Sequence, residues 1–194
     1  SNEAEFLHAT GWRLAMPSNA EDAVGLLRTA MRGNDPVVFF EHRSLLDGAA
    51  ARRPYPGDDF MLPFGVARTL RSGSELTVVS WGAMVERCDQ AAGESGIDVD
   101  LLDLRTLSPW DRAAVLASVA RTRRCLIVHE DTITAGFGAE IAAVIAERAF
   151  FDLDAPIQRL AMPDVPSPHS PMLLDAVLPS VEQIVAAMRR IASI

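Results

Sequence analysis

RCLIVHEDTITAGFGAEIAAVIAERAF, residues 124–150, decides how this chain is read. Cys125 to Val128 is a short, continuous apolar run, the pattern of a strand covered on both faces. It ends in His129, Glu130 and Asp131. A glycine turn, Gly136-Phe137-Gly138, follows, and from Phe137 the apolar residues recur at helical spacing. Strand, turn and helix in that order form the repeating unit of a parallel α/β sheet.

The same unit recurs on either side. ELTVVSWG (75–82) reads as a strand and AMVERCDQAAGE (83–94) as a helix. IDVDLLDL (97–104) is a strand, and SPWDRAAVLASVART (108–122) is a helix starting near Ser108 with Pro109 in its first turn. PIQRLAM (156–162) is a strand, and PSVEQIVAAMRRIAS (179–193) a closing helix. This alternation predicts an α/β fold with a mostly parallel sheet. Upstream, Ser18-Asn19-Ala20-Glu21 has the capping-box pattern, Val24, Leu27 and Met31 keep a helical period, and Gly33 can end the helix. DPVVFFEH (35–42) reads as a buried strand. From Arg43 to Pro63, Pro54, Pro56, Gly48 and Gly57 break all periodicity, as in a linker. Three regions result: 1–41, a helix and strand too few to form a core; 42–63, a linker; and 64–194, the domain proper. The opening SNEAEFLHATG has no initiator Met and reads as part of a longer polypeptide.

Bulk properties narrow the class. The 194 residues are 49% hydrophobic, enough for a core that needs neither disulfide nor metal. A net charge of −8 with no basic run argues against a nucleic-acid partner. Neither a signal peptide nor an apolar stretch of about 18 residues is evident, so a cytoplasmic protein without membrane contact is expected. Cys88 and Cys125 lie far apart and read as reduced, buried thiols. Every basic residue is Arg and none is Lys, which points to a GC-rich bacterial genome.

The candidate chemistry is sparse. His129, at the end of a buried strand, is either a proton-transfer group oriented by a carboxylate or a strand-end imidazole bonded to nearby backbone; the second reading is preferred. Gly136-x-Gly138 lacks the third glycine of a dinucleotide fingerprint, because Ile141 stands there, so a tight strand-to-helix turn is expected. His8 and His42 have no evident partner, and His169 lies in a Pro-rich loop. Trp110 is expected to pack on the sheet. No GxSxG elbow, HExxH or CxxC occurs.

Five stretches carry a resemblance: PSNAEDAVGLLRTAMRGNDPVVFFEHRSLL, LPFGVARTLRSGSELTVVSWGAMV, IDVDLLDLRTLSPWD, SVARTRRCLIVHEDTITAGFGAEIAA and LDAPIQRLAMPDVPSPH. Together, in this order, they resemble the C-terminal part of the beta subunit of thiamine-diphosphate-dependent 2-oxoacid dehydrogenases. The resemblance implies a three-layer α/β/α sandwich of the transketolase C-terminal type from about residue 66, preceded by the helix-strand tail of a pyrimidine-binding domain. It implies decarboxylation of a 2-oxoacid on thiamine diphosphate with magnesium, then acylation of a lipoyl group. The Trp-Gly after a strand, SPWD, the strand-end HE and LDAPIQR resemble the branched-chain enzymes more than the pyruvate enzymes, making 3-methyl-2-oxobutanoate the expected substrate. Pyruvate and acetoin enzymes stay open, as do a transketolase or deoxyxylulose-phosphate synthase relative and a domain that only dimerises and docks.

The family's cofactor-activating glutamate and catalytic histidine match positions upstream of Ser1, so no catalytic or cofactor-binding residue carries over. A structural potassium site carries over to the backbone carbonyls of Ala30, Gly33 and Asp35. Docking to the lipoyl-bearing acyltransferase core carries over to Asp154 and the Ile194 carboxylate. The implied partners are an alpha subunit or fused alpha region and a second beta subunit. Under this resemblance His129 shapes its surroundings or an interface.

Overall fold

Side chains on a strand alternate between its two faces, and here both faces are apolar. The computed structural model describes residues 2–194. Its elements in chain order are α1 (Glu3–Leu7), β1 (Arg13–Ala15), α2 (Ala20–Arg32), β2 (Val37–Phe39), α3 (Arg43–Asp47), β3 (Arg68–Arg71), β4 (Leu76–Ser80), α4 (Met84–Ser95), β5 (Val99–Asp103), β6 (Thr106–Ser108), α5 (Arg112–Thr122), β7 (Cys125–Thr132), α6 (Phe137–Arg148), β8 (Gln158–Met162), α7 (Pro171–Val177) and α8 (Val181–Ala192). The main sheet has the order β3-β5-β4-β7-β8. Its pairs are parallel except β3 with β5.

Two apolar layers sandwich this sheet. Val79, Cys125 and Ile127 face Val115 and Val119 of α5 and Ile141 and Ile145 of α6. Leu76, Val78, Leu126 and Val128 face Cys88 of α4 and Ile184 and Met188 of α8. Parity along β7 therefore sends His129 to the α5–α6 side and Glu130 to the α4–α8 side. The expected parallel sheet, covered by helices on both faces, is the one observed.

Several local expectations need correction. Asn19, not Ser18, caps α2: its side chain accepts from the Asp22 N–H at 3.1 Å, while the Ser18 hydroxyl donates to Asp103. Gly33 ends the helix as expected. Helix α5 starts at Arg112, not near Ser108, because Asp111 is its cap and accepts from the Ala114 N–H at 3.0 Å. Thr106 to Ser108 instead extend as β6, antiparallel to β1, and the Ser108–Pro109 peptide is cis. Strand β2 is half-exposed rather than buried. The 42–63 stretch holds a helix, α3, and a 3-10 turn at Ala49–Ala51. β1 pairs with both β2 and β6, and its Leu14, with Met16 beyond it, joins the core on the α5–α6 side.

Contrary to the expectation of no such stretch, residues 171–192 have the length and apolarity of a membrane span. They are not one continuous helix. Leu178 is extended, Ser180 starts α8 with a full capping box, and Ile184, Met188 and Ile191 are spent on the core.

Candidate functional site

Open α/β sheets carry their functional groups beyond the carboxyl ends of the strands. Here Trp81 follows β4 and His129 lies in β7, and their rings stack 5.2 Å apart at 9°. His129 is fully buried, and neither ring nitrogen has a hydrogen-bond partner. The expectation that these nitrogens bond backbone fails. Burial, with the Arg159 guanidinium adding to it, pushes the imidazole pKa down to about 4. It is a neutral ring, packed against Trp81 and sealed from solvent.

The glycine turn explains the seal. A Cβ on Gly138 would stand 2.5 Å from His129 Nε2, and one on Gly136 would stand 2.7 Å from Cε1 and collide with the Thr132 carbonyl. Only glycine lets α6 approach this closely. The turn is thus the tight strand-to-helix joint expected from the sequence. Phe137 then meets Trp81 edge-on at 5.7 Å and Trp110 at 6.1 Å. Trp81 Nε1 donates to Glu3 Oε1 at 2.9 Å. The N-terminal helix is therefore fastened to the strand ends through a buried carboxylate.

A second buried polar group joins α2 to the sheet. Asp103 accepts from the Ser18 hydroxyl at 2.6 Å and from the Arg105 N–H at 3.0 Å, with Arg68 Nη2 3.4 Å away. Asp22 faces Arg68 at 3.6 Å and Arg105 at 3.3 Å. Burial raises the Asp103 pKa to about 6 against the opposing pull of Ser18 and Arg68.

On the α4–α8 side the fold provides partners that the sequence did not reveal. His42 Nε2 lies 2.8 Å from Glu130 Oε2, and His42 Nδ1 lies 2.8 Å from Ser44 Oγ. The first contact is at ion-pair distance but departs from hydrogen-bond alignment, since Oε2 has no partner by that stricter measure.

The expected potassium positions come together. Ala30, Gly33 and Asp35 line one cavity of about 430 Å³ with Arg13 and Phe64. The fit to a cation is mixed. Carbonyl donors suit a hard ion, yet the Ala30 carbonyl accepts from the Gly33 N–H at 3.2 Å, and Arg13 holds the Asp35 carboxylate at 2.6 Å. Among the described residues no three His, Cys, Asp or Glu side chains gather as a metal site.

Asp154 is exposed but engaged. Arg123 donates to both its oxygens, at 2.6 and 2.7 Å, and holds the carboxyl below its ordinary range. Beside it Phe151 is 93% exposed. Ile194 is exposed at the end of α8. His8 borders a separate groove with Trp110 and Phe137. Both cysteines are free and buried, their thiols pushed up to about 12, as expected of inert core groups.

Comparison with known proteins fits this architecture. The family model described as the transketolase C-terminal domain matches residues 65–184. The chain belongs to this family. Its match begins beside β3 and ends within α8, so it covers the whole main sheet. A 2-oxoisovalerate dehydrogenase subunit beta from Bacillus subtilis is 40% identical over 99% of this chain and 59% of its own length. An acetoin:2,6-dichlorophenolindophenol oxidoreductase subunit beta from Cupriavidus necator is 40% identical over 95% of this chain and 55% of its own length. The chain thus spans little more than half of these relatives. A solved split-gene transketolase, described as an inactive beta4 tetramer, shares the fold with a TM-score of 0.75 over 94% of this chain and 58% of its own, at 21% identity.

The sequence reading missed Glu3, Ser18 and Asp103 as buried polar partners, along with the His42–Glu130 contact. Each joins residues more than 75 positions apart. One signal was available, because Asp103 closes a strand that packs in the core, and a buried acid there needs a donor.

Proposed function

We propose that this chain is part of the beta subunit of a thiamine-diphosphate-dependent 2-oxoacid dehydrogenase that acts on a branched-chain 2-oxoacid, 3-methyl-2-oxobutanoate. The observation that carries the dehydrogenase reading is the 40% identity with the Bacillus subtilis relative, which reaches across the N-terminal segment as well as the family domain. The HE pair of β7 and the glycine turn it packs against fall within that span. The branched-chain substrate rests on the SPWD and LDAPIQR stretches, since acetoin and pyruvate relatives are also 40% identical.

Thiamine diphosphate with magnesium would supply the electron sink for decarboxylation, on residues outside this chain. This chain's residues would serve assembly. The Glu3–Trp81–His129 stack fixes the N-terminal helix against the sheet ends, and neutral His129 keeps that junction closed to water. Ala30, Gly33 and Asp35 would hold a potassium ion through backbone carbonyls. Asp154 and the Ile194 carboxylate would dock the lipoyl-bearing acyltransferase, and an alpha subunit or fused alpha region and a second beta subunit would complete a cytoplasmic assembly.

The test is decarboxylation by the full-length assembly, with thiamine diphosphate and magnesium, read with an artificial electron acceptor. Faster turnover of 3-methyl-2-oxobutanoate than of pyruvate or acetoin is the expected result. Preference for pyruvate or acetoin would move the substrate assignment and keep the family. No turnover of any of them would reject the enzyme reading.

A further inference from the structure

A hydroxyl, an imidazole and a carboxylate in a hydrogen-bonded line are recognised as an acyl-transfer constellation by geometry and role, whatever their order in the sequence. The same three group types lie in line here, away from the Trp81–His129 junction, with a hydrogen bond between hydroxyl and imidazole and an ion-pair contact between imidazole and carboxylate. Glu130 leaves β7 on the α4–α8 side and is buried. His42, at the mouth of the 42–63 segment, stands 2.8 Å from it through Nε2 and 2.8 Å from Ser44 Oγ through Nδ1. The side chains of Glu130 and His42 are 6% and 23% exposed, and Ser44 is open to solvent. Acid inside, base between and hydroxyl outside is the gradient that a nucleophile needs.

The three side chains share one cavity of about 830 Å³, walled by Met84, Met162, Leu174 and Val181. Methionine walls adapt to varied apolar groups. Of the charged residues around it, Arg87 is already occupied by Asp175 and the Pro179 carbonyl, and Glu86 adds a further acid to Glu130 and Asp175. The cavity therefore favours neutral, apolar ligands over anions.

We propose that Ser44, His42 and Glu130 form a hydrolytic site for carboxylic esters with small apolar acyl groups. Ser44 Oγ bonds to the acyl carbon as its proton passes to His42 Nδ1. The ester C–O bond breaks, and the alcohol leaves with that proton. Water then adds to the acyl-serine along the same path, releasing the carboxylic acid and restoring Ser44. Glu130 is a positioning residue: its carboxylate, 2.8 Å from Nε2, faces the imidazolium that forms. The site draws on no cofactor, so it stands or falls separately from the proposed dehydrogenase role.

The probe is p-nitrophenyl butyrate, followed as nitrophenolate release by the wild-type protein, and a fluorophosphonate mapped by peptide mass. The expected result is release about tenfold or more above the buffer blank, lost in Ser44→Ala, with the adduct on Ser44. Ser44 is exposed, so that variant keeps its fold, which circular dichroism checks. Glu130→Gln should lower kcat at unchanged KM, and Glu130→Asp should recover part of it. Release at the blank level overturns the site, as does an adduct elsewhere. A rate retained in Ser44→Ala would be ordinary surface-histidine catalysis and also overturns it.

Discussion

At the scale of single residues, burial decides what each group can do. Asp103 is the clearest case. Its carboxyl moves from an ordinary 3.8 up to about 6, chiefly through burial. A carboxyl raised on folding favours the protonated native state, so its contribution is fully present below about pH 4. That contribution is lost as pH rises through about 6. The difference corresponds to about 3 kcal/mol between the two protonation states. Asp103→Asn, which keeps an oxygen to accept from Ser18, should flatten this dependence. Urea unfolding at pH 4.5 and 7.5 reads it: the variant gains on the wild type as pH rises. Equal pH profiles for the two proteins would mean that Asp103 is ionised throughout. His129 was legible as a residue of a buried strand, because continuous apolar runs mark strands, but the strand runs past it to Thr132 instead of ending there. The imidazole's lack of partners was not legible, since that depends on Gly138 and Trp81 closing over the ring in three dimensions.

At the scale of elements, periodicity carried the reading where an element is long and failed where tertiary pairing decides. β4, β5, β7 and β8 were legible because their runs are apolar and bounded. β3 was not: it is short and carries Arg68 and Arg71 at its two ends, and it is a strand only because β5 pairs with it antiparallel. Ser108, the last residue of β6, was read as a helix start because Ser-Pro is a common helix opening, yet Asp111 is the better cap and β1 holds Thr106 and Ser108 extended. The same competition separates Ser18 from Asn19. Both are capping residues by type, and the chain uses one for the helix and the other for Asp103. Asn19→Ala should therefore remove the cap and lower stability by about 1 kcal/mol, read as a lower urea midpoint. An unchanged midpoint in Asn19→Ala would show that Ser18 takes over the cap.

At the scale of the whole molecule, the N-terminal segment and the family domain are bound by named polar contacts. Glu3 to Trp81, Ser18 to Asp103 and His42 to Glu130 each cross between them, and β6 completes the small sheet of β1 and β2. The proposed docking groups, Asp154 and Ile194, take no part in those contacts. If Asp154 receives a basic group from the acyltransferase, it does so against Arg123, which already takes both its oxygens from a left-handed backbone position at φ 62°. An exposed pair of this kind contributes little by itself, so giving it up weakens the chain only slightly. Charge at a contact rim mainly sets association rate and salt dependence. Arg123→Ala should thus strengthen binding of the acyltransferase's binding domain severalfold, most at low salt. Asp154→Ala combined with removal of Ile194 should weaken it, with decarboxylation of free 2-oxoacid by the full assembly unchanged. Surface plasmon resonance at two ionic strengths separates the cases. Binding indifferent to both Arg123→Ala and the Asp154 variant would reject Asp154 and the Ile194 carboxylate as the docking contacts.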